Sequence, residues 1–150
     1  MFKFGKKKRY TIGEKIKYFS AIINNSSETA KRKAWASLRL SNLEKVKNKM
    51  KLGDVFIIND KHLGNLSSKP RLVVIAKQNN QDEVKILPVR KDNKLMSLSN
   101  FDGQRALSMN NAAIVRKNQL YEKRGFKILK NAYLSPKEKN RLQTKVVKYL

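Results

Sequence analysis

Apolar residues along this chain change their period near residue 51. Between 27 and 50, Ala34, Trp35, Leu38, Val46 and Met50 recur at steps near three and four, with Leu43 beside them and no Gly or Pro between. That spacing predicts an amphipathic helix with Trp35 as the core anchor of its stripe, rather than as a base-stacking platform. Ser26 or Ser27 is placed to cap it, and Glu28 complements the positive end of its dipole. Leu40-Ser41-Asn42 offers a break into two helices, Ser41 serving as a second cap with Glu44 three residues on. The earlier run IKYFSAII at 16–23 has no decisive period and fits a strand or a turn of helix.

From residue 53 the pattern becomes that of strands. Residues 55–58 and 72–75 are continuous β-branched, aromatic or aliphatic runs, as expected of strands covered on both faces, and 84–87 is a third β-rich run. The polar stretch 78–82 predicts a hairpin between the second and third. Pro88 donates no ladder hydrogen bond and so ends the third. Short strands are expected at 96–101 and 113–116. Ser135-Pro136-Lys137-Glu138 combines a cap, a first-turn Pro and a capping box. Leu142, Val146 and Leu150 then continue an amphipathic C-terminal helix, widened by Val147 and Tyr149.

Charge changes the picture most. The 150 residues carry 35 Lys and Arg against 11 Asp and Glu, a net +24. Charge of that size repels itself and is relieved by a polyanion, with nucleic acid the leading candidate because binding releases phosphate counterions. Residues 1–52 hold 15 basic and 3 acidic residues and residues 53–150 hold 20 and 8, so each part carries +12. The charge is therefore not a detachable tail. We place an internal boundary near residue 51, with a basic helical region at 1–51 and a β-rich unit at 52–150. The basic run 6–9 reads as a nucleic-acid arm or a solvated terminus. With no Cys and one His, disulfides and thiolate metal sites are excluded, and neither a metal nor a cofactor is expected. The run at 6–9 is not followed by an apolar signal region, and the longest apolar runs are about five residues. A cytoplasmic protein with no membrane span is therefore expected.

Catalytic signatures such as GxxxxGK[ST], GxGxxG, HExxH and GxSxG are absent. What remains is a polar loop, 59–69, carrying Lys61 and the single His62 and delivering Lys69-Pro70-Arg71 onto a strand. Asp54 and Asp60 bracket the preceding strand, and Arg90-Lys91 follow the third. A guanidinium fixed on a strand suits an anionic centre, because its planar fork holds phosphate oxygens bidentately. It would stabilise charge building on a phosphorane. Arg71 also fits a plain surface cation at a sheet edge. His62 fits a general acid–base or an ordinary surface residue.

The order Gly53-Asp54-Val55, Lys69-Pro70-Arg71-Leu72-Val73-Val74-Ile75 and Ile86-Leu87-Pro88 resembles the MazF/PemK family of toxin ribonucleases. Leu134-Ser135 before the last helix is similar to that family's ending, and the resemblance covers 52–150. It implies a small SH3-like β-barrel with a C-terminal amphipathic helix, which with the basic N-terminal helical region read above makes an α+β protein. It also implies metal-independent cleavage of single-stranded RNA by the substrate's own 2′-hydroxyl, often by a homodimer, and an acidic antitoxin protein as partner. Arg71 matches the family's phosphate-contacting Arg. His62 is then the acid–base candidate, and Lys61, Lys69, Arg90 and Lys91 grip the backbone. Three positions depart from the family. Leu72 stands where Pro follows the Arg, and Arg90 stands at the hydroxyl position of the Pro-x-Thr/Ser turn. His62, Asn65 and Ser67 replace the Glu-Gln-like content of the first loop. The alternative reading is a non-catalytic RNA- or DNA-binding protein on the same barrel.

Overall fold

Thr11 begins the first helix by accepting the Glu14 N–H on its hydroxyl, while the Glu14 carboxylate accepts the Thr11 N–H. This reciprocal box satisfies two donors that a helix start leaves without partners. In the computed structural model, which describes residues 9–64, 69–90, 96–97, 106–107, 112–123 and 133–146, helix α1 runs over Ile12–Ile23. The undecided run at 16–23 is thus helical, with Ile12, Phe19 and Ile22 buried along one side.

Helix α2 spans Ala30–Asn48 without a break, and the Thr29 hydroxyl caps it by accepting the Arg32 N–H. Two expectations are corrected here. Ser26 and Ser27 belong to the turn between the helices, where the Asn25 side chain accepts the Ser27 N–H, so the cap falls to Thr29. Ser41 lies inside the helix and caps nothing. The C-terminal part of the expected stripe is buried, with Leu43, Met50 and partly Val46 in the core, whereas Ala34, Trp35 and Leu38 are exposed. Ala36 and Leu43 are buried against Phe19 and Ile22 of α1, with Leu40 beside them. Leu38 is 63% exposed and Trp35 38%. Trp35 is therefore not a core anchor: α2 turns a narrow edge built on small Ala36 toward α1, which leaves the bulky side chains on the flank.

The β-rich part forms a curled antiparallel sheet. Its strands are β1 (Val55–Asn59), β2 (Pro70–Gln78), β3 (Glu83–Arg90), β6 (Ala113–Arg116) and β7 (Leu120–Tyr121), in the spatial order β6-β3-β2-β1-β7. The short strands β4 (Met96–Ser97) and β5 (Ala106–Leu107) extend it from the C-terminal end of β3. The chain enters β1 through a turn at Gly53, whose φ of +92° favours a residue without Cβ.

Both faces of the sheet are covered, as the continuous apolar runs predict. Ile57, Leu72, Val74, Leu87 and Val89 share one face with Leu134 and Leu142. Phe56, Ile58, Val73, Ile75, Val84 and Ile86 share the other with Ile12 of α1 and Met50. Alternation along each strand sorts the two sets. The register of β2 on β3 slips once, between Ile75 and Lys77, and the bulge lets the hairpin leave the core with Lys77 and Gln78 exposed.

Ser135 caps helix α3 (Pro136–Arg141) through the expected box with Glu138, with Pro136 at its start. The helix widens into a π-turn over Leu142–Val146. The architecture is α+β, with three helices among the described residues. No helix among the described residues is long and apolar enough to cross a membrane. Residues 6–8 of the basic run, the rest of the strand expected at 96–101, and Val147, Tyr149 and Leu150 lie outside the described residues, while Arg9 is exposed.

Candidate nucleic-acid interface

Ile58 of β1 pairs with Arg71 of β2 on one side and with Leu120 of β7 on the other. This row defines one end of the sheet. Beyond Ile58 and Asn59 the chain folds into a 3-10 turn, Asp60–Leu63, started by the Asn59 carboxamide accepting the Lys61 N–H. Leu63 packs on the core beneath, and Gly64 closes the turn at φ +82°. The loop expected to carry chemistry is thus anchored at its start by a structured turn.

Asp60 is 4% exposed. A carboxylate so buried needs partners, because desolvation disfavours its charge. Arg71 supplies them: its Nε and one terminal nitrogen donate to the two carboxylate oxygens at 3.3 and 3.2 Å. The Asp60 N–H also donates to the Lys69 carbonyl at 2.9 Å. The Arg71 side chain remains 31% exposed. One edge of its fork is thus held by the protein while part of it faces solvent.

His62 is exposed two residues along the same turn. Its Nδ1 lies 3.2 Å from the Gln119 side-chain nitrogen. The Gln119 side-chain Oε1 accepts the Arg116 N–H at 3.1 Å, which orients the amide with its NH2 toward the imidazole. Nδ1 must then accept, so the proton of neutral His62 resides on Nε2. In this arrangement His62 offers an outward hydrogen-bond donor. Proton exchange through Nδ1 requires the Gln119 amide to leave.

The other candidates surround this end. Lys61 and Lys69 are exposed. The β2–β3 register, with Val73 opposite Pro88, brings the strand positions of Arg71 and Arg90 to the same end two steps on. Lys91 lies outside the described residues, as do Asn65 and Ser67. Asp60 and Gln119 are the working residues that sequence reasoning left without a role. Asp60 carried a faint signal as a carboxylate eleven residues before a strand Arg. Gln119 carried none, since its partner lies 57 residues away.

A second polar region lies on the helices. Between α1, α2 and the end of β7 is a cavity of about 400 Å³ bordered by Trp35, Phe19, Arg39, Asn42, Lys15 and Glu122. The Lys15 ammonium and the Glu122 carboxylate are 3.3 Å apart across it. Trp35 meets Phe19 edge to face at 5.4 Å, and the guanidinium carbons of Arg32 and Arg39 lie 5.3 and 6.0 Å from its ring centre. Nearby, burial raises the Tyr121 phenol above its usual pKa, with Glu14 adding to the effect. Burial also lowers the Lys123 ammonium.

No family model matches this chain, and no curated protein or solved structure does either.

Proposed function

We propose that the protein binds single-stranded RNA and cleaves it without metal at the Arg71 end of an SH3-like barrel, in the manner of the MazF/PemK toxins. The observation that carries this is the fork of Arg71, fixed by both oxygens of a buried carboxylate and still partly open to solvent. A guanidinium held in advance loses little freedom on meeting a phosphate and counters the charge that grows in the transition state. The substrate supplies its own nucleophile. The 2′-oxygen bonds to phosphorus, the bond to the 5′-oxygen breaks, and the products are a 2′,3′-cyclic phosphate and a 5′-hydroxyl. The 2′-proton passes to solvent and the 5′-oxygen takes one up, a balance that asks no metal of the protein. Lys61, Lys69, Arg90 and Lys91 hold neighbouring phosphates, and the His62 Nε2–H donates to a phosphate oxygen. A cytoplasmic setting, a homodimer and an acidic antitoxin protein belong to the same reading.

Two observations favour a second reading, in which the same surface binds nucleic acid without cutting it. Asp60 offsets the charge of Arg71, and Gln119 occupies the imidazole lone pair that proton transfer needs.

The test is cleavage of a single-stranded RNA in the presence of chelator. Wild type should give 2′,3′-cyclic ends, and Arg71→Ala should lose at least about 100-fold in rate, as for one transition-state charge contact. Arg71→Ala also exposes a buried carboxylate without its partner, at a cost of about 1–3 kcal/mol. Arg71→Lys, which keeps the charge, is therefore measured alongside, with folding of both checked by circular dichroism. Intact RNA with the folded wild type in excess rejects cleavage and leaves the binding reading.

A further inference from the structure

We propose that the cleft between α1 and α2 is a nucleobase-stacking subsite for single-stranded RNA, with Trp35 as its platform. The inference takes its ligand class from the function proposed above and does not depend on cleavage.

Four features of the cleft point to this ligand. Trp35 is the chain's one tryptophan, and it is 38% exposed although a large aromatic gains by burial. Phe19 meets it in a T-shaped contact at 5.4 Å, which orients the indole. Arg32 and Arg39 stand over the ring at 5.3 and 6.0 Å, so a base stacks by taking the place of the more distant guanidinium, that of Arg39. They sit at i−3 and i+4 and so share its side of the helix. Arg32 is tied to Glu28 at 3.3 Å and to the Tyr18 hydroxyl at 3.2 Å. Arg39 has no ion pair among the described residues, and it faces the cavity.

The cavity's volume of about 400 Å³ falls within the range of about 300–1,000 Å³ usual for small-molecule sites. It therefore has room for a base. Asn42 on its wall presents both a donor and acceptor to a base edge. Arg39 is placed for the adjoining phosphate, where Lys15 is already engaged by Glu122.

Charge decides between a polyanion and a neutral apolar partner. Within Ala30–Asn48, Lys31, Arg32, Lys33, Arg39, Lys45 and Lys47 face a single acidic residue, Glu44. A neutral partner would have to desolvate these cations without return, whereas an RNA strand neutralises them while its bases stack. An acidic protein would satisfy the charge and leave the aromatic platform without use.

Because Trp35 is the only tryptophan, its fluorescence reports on this cleft alone. The experiment titrates the full chain with a 2′-O-methyl oligouridylate octamer, which the 2′-hydroxyl mechanism cannot cut, and follows emission together with the anisotropy of a labelled copy. Saturable quenching is expected. Trp35→Ala should weaken binding about 5- to 150-fold, the range for loss of one stacked base. Trp35→Phe should retain most of the affinity, and Arg39→Ala should weaken binding and reduce its salt dependence.

Unchanged emission on saturation, or equal affinity for folded Trp35→Ala and wild type, overturns the subsite. Equal quenching and competition by polyglutamate also overturns it, in favour of an acidic protein partner. Quenching that persists in a protein that cuts no RNA removes the nuclease reading and leaves the subsite standing. Cleavage without quenching does the reverse.

Discussion

Lys117 lies in the 3-10 turn after β6 with only 4% of its surface exposed. Burial lowers its pKa, Lys47 lowers it further by repulsion, and Asp82 acts weakly in the other direction. The native value thus falls below that of the unfolded chain. Between the two values the unfolded state holds more protons, so stability rises with pH through that window. Below that window the folded protein carries the charge at constant cost. Lys117→Met should therefore raise the urea midpoint at neutral pH and remove the gain that wild type shows as pH approaches the ordinary lysine range. An unchanged midpoint at both pH values would mean that the ammonium is solvated. Asp60 is the contrasting case, since its buried charge has a partner in Arg71. Charge type and spacing were legible in the sequence for both residues. Which of them would have a partner depended on which strands became neighbours.

Helix α1 docks against the turn Lys117–Gln119, and Gly13 is where they meet. A Cβ built at Gly13 would sit 2.7 Å from the Asn118 Cβ and 2.9 Å from its carbonyl oxygen. Backbone cannot swing aside as a long side chain can. Gly13→Ala gains helix propensity of about 1 kcal/mol and loses about 1–3 to overpacking, so a net destabilisation of up to about 2 kcal/mol is expected in urea unfolding. A stabilised variant would show that the turn yields freely. The same contact sets the cleft beside Trp35, because it fixes where α1 lies against β7. The helix over 27–50 was legible from its period, but the part of the stripe expected on Trp35 and Leu38 was not buried. Two apolar faces compete on α2, and only the close approach of α1 at Ala36 selected between them. A tryptophan flanked by Arg at i−3 and i+4 was the available sign that its surroundings are cationic.

At the scale of the molecule, residues 1–52 and 53–150 each carry +12, so neither part of the chain is neutral. Any RNA bound through this charge releases counterions in proportion to the phosphates engaged. For an octanucleotide contacting about five of them, log affinity should fall against log salt with a slope of about −3 to −4. Fluorescence anisotropy at several salt concentrations measures it. A slope near zero would mean that the basic surface serves some other partner.

Local chemistry was readable along the chain. The two-faced strands, the hairpin at 78–82, the α3 cap at Ser135 and the excess of positive charge all depend on residues close in sequence, where periodicity and capping act directly. Long-range pairing required the folded chain. Asp60 meets Arg71 because β1 and β2 are antiparallel with Ile58 opposite Arg71. His62 meets Gln119 because β7 joins the far side of β1. Trp35 lies at a cleft because α2 packs on α1 through Ala36 rather than through the part of the stripe that holds Trp35 and Leu38. Each outcome turns on which surfaces are buried together. That is a property of the whole packing, and no single segment carries it.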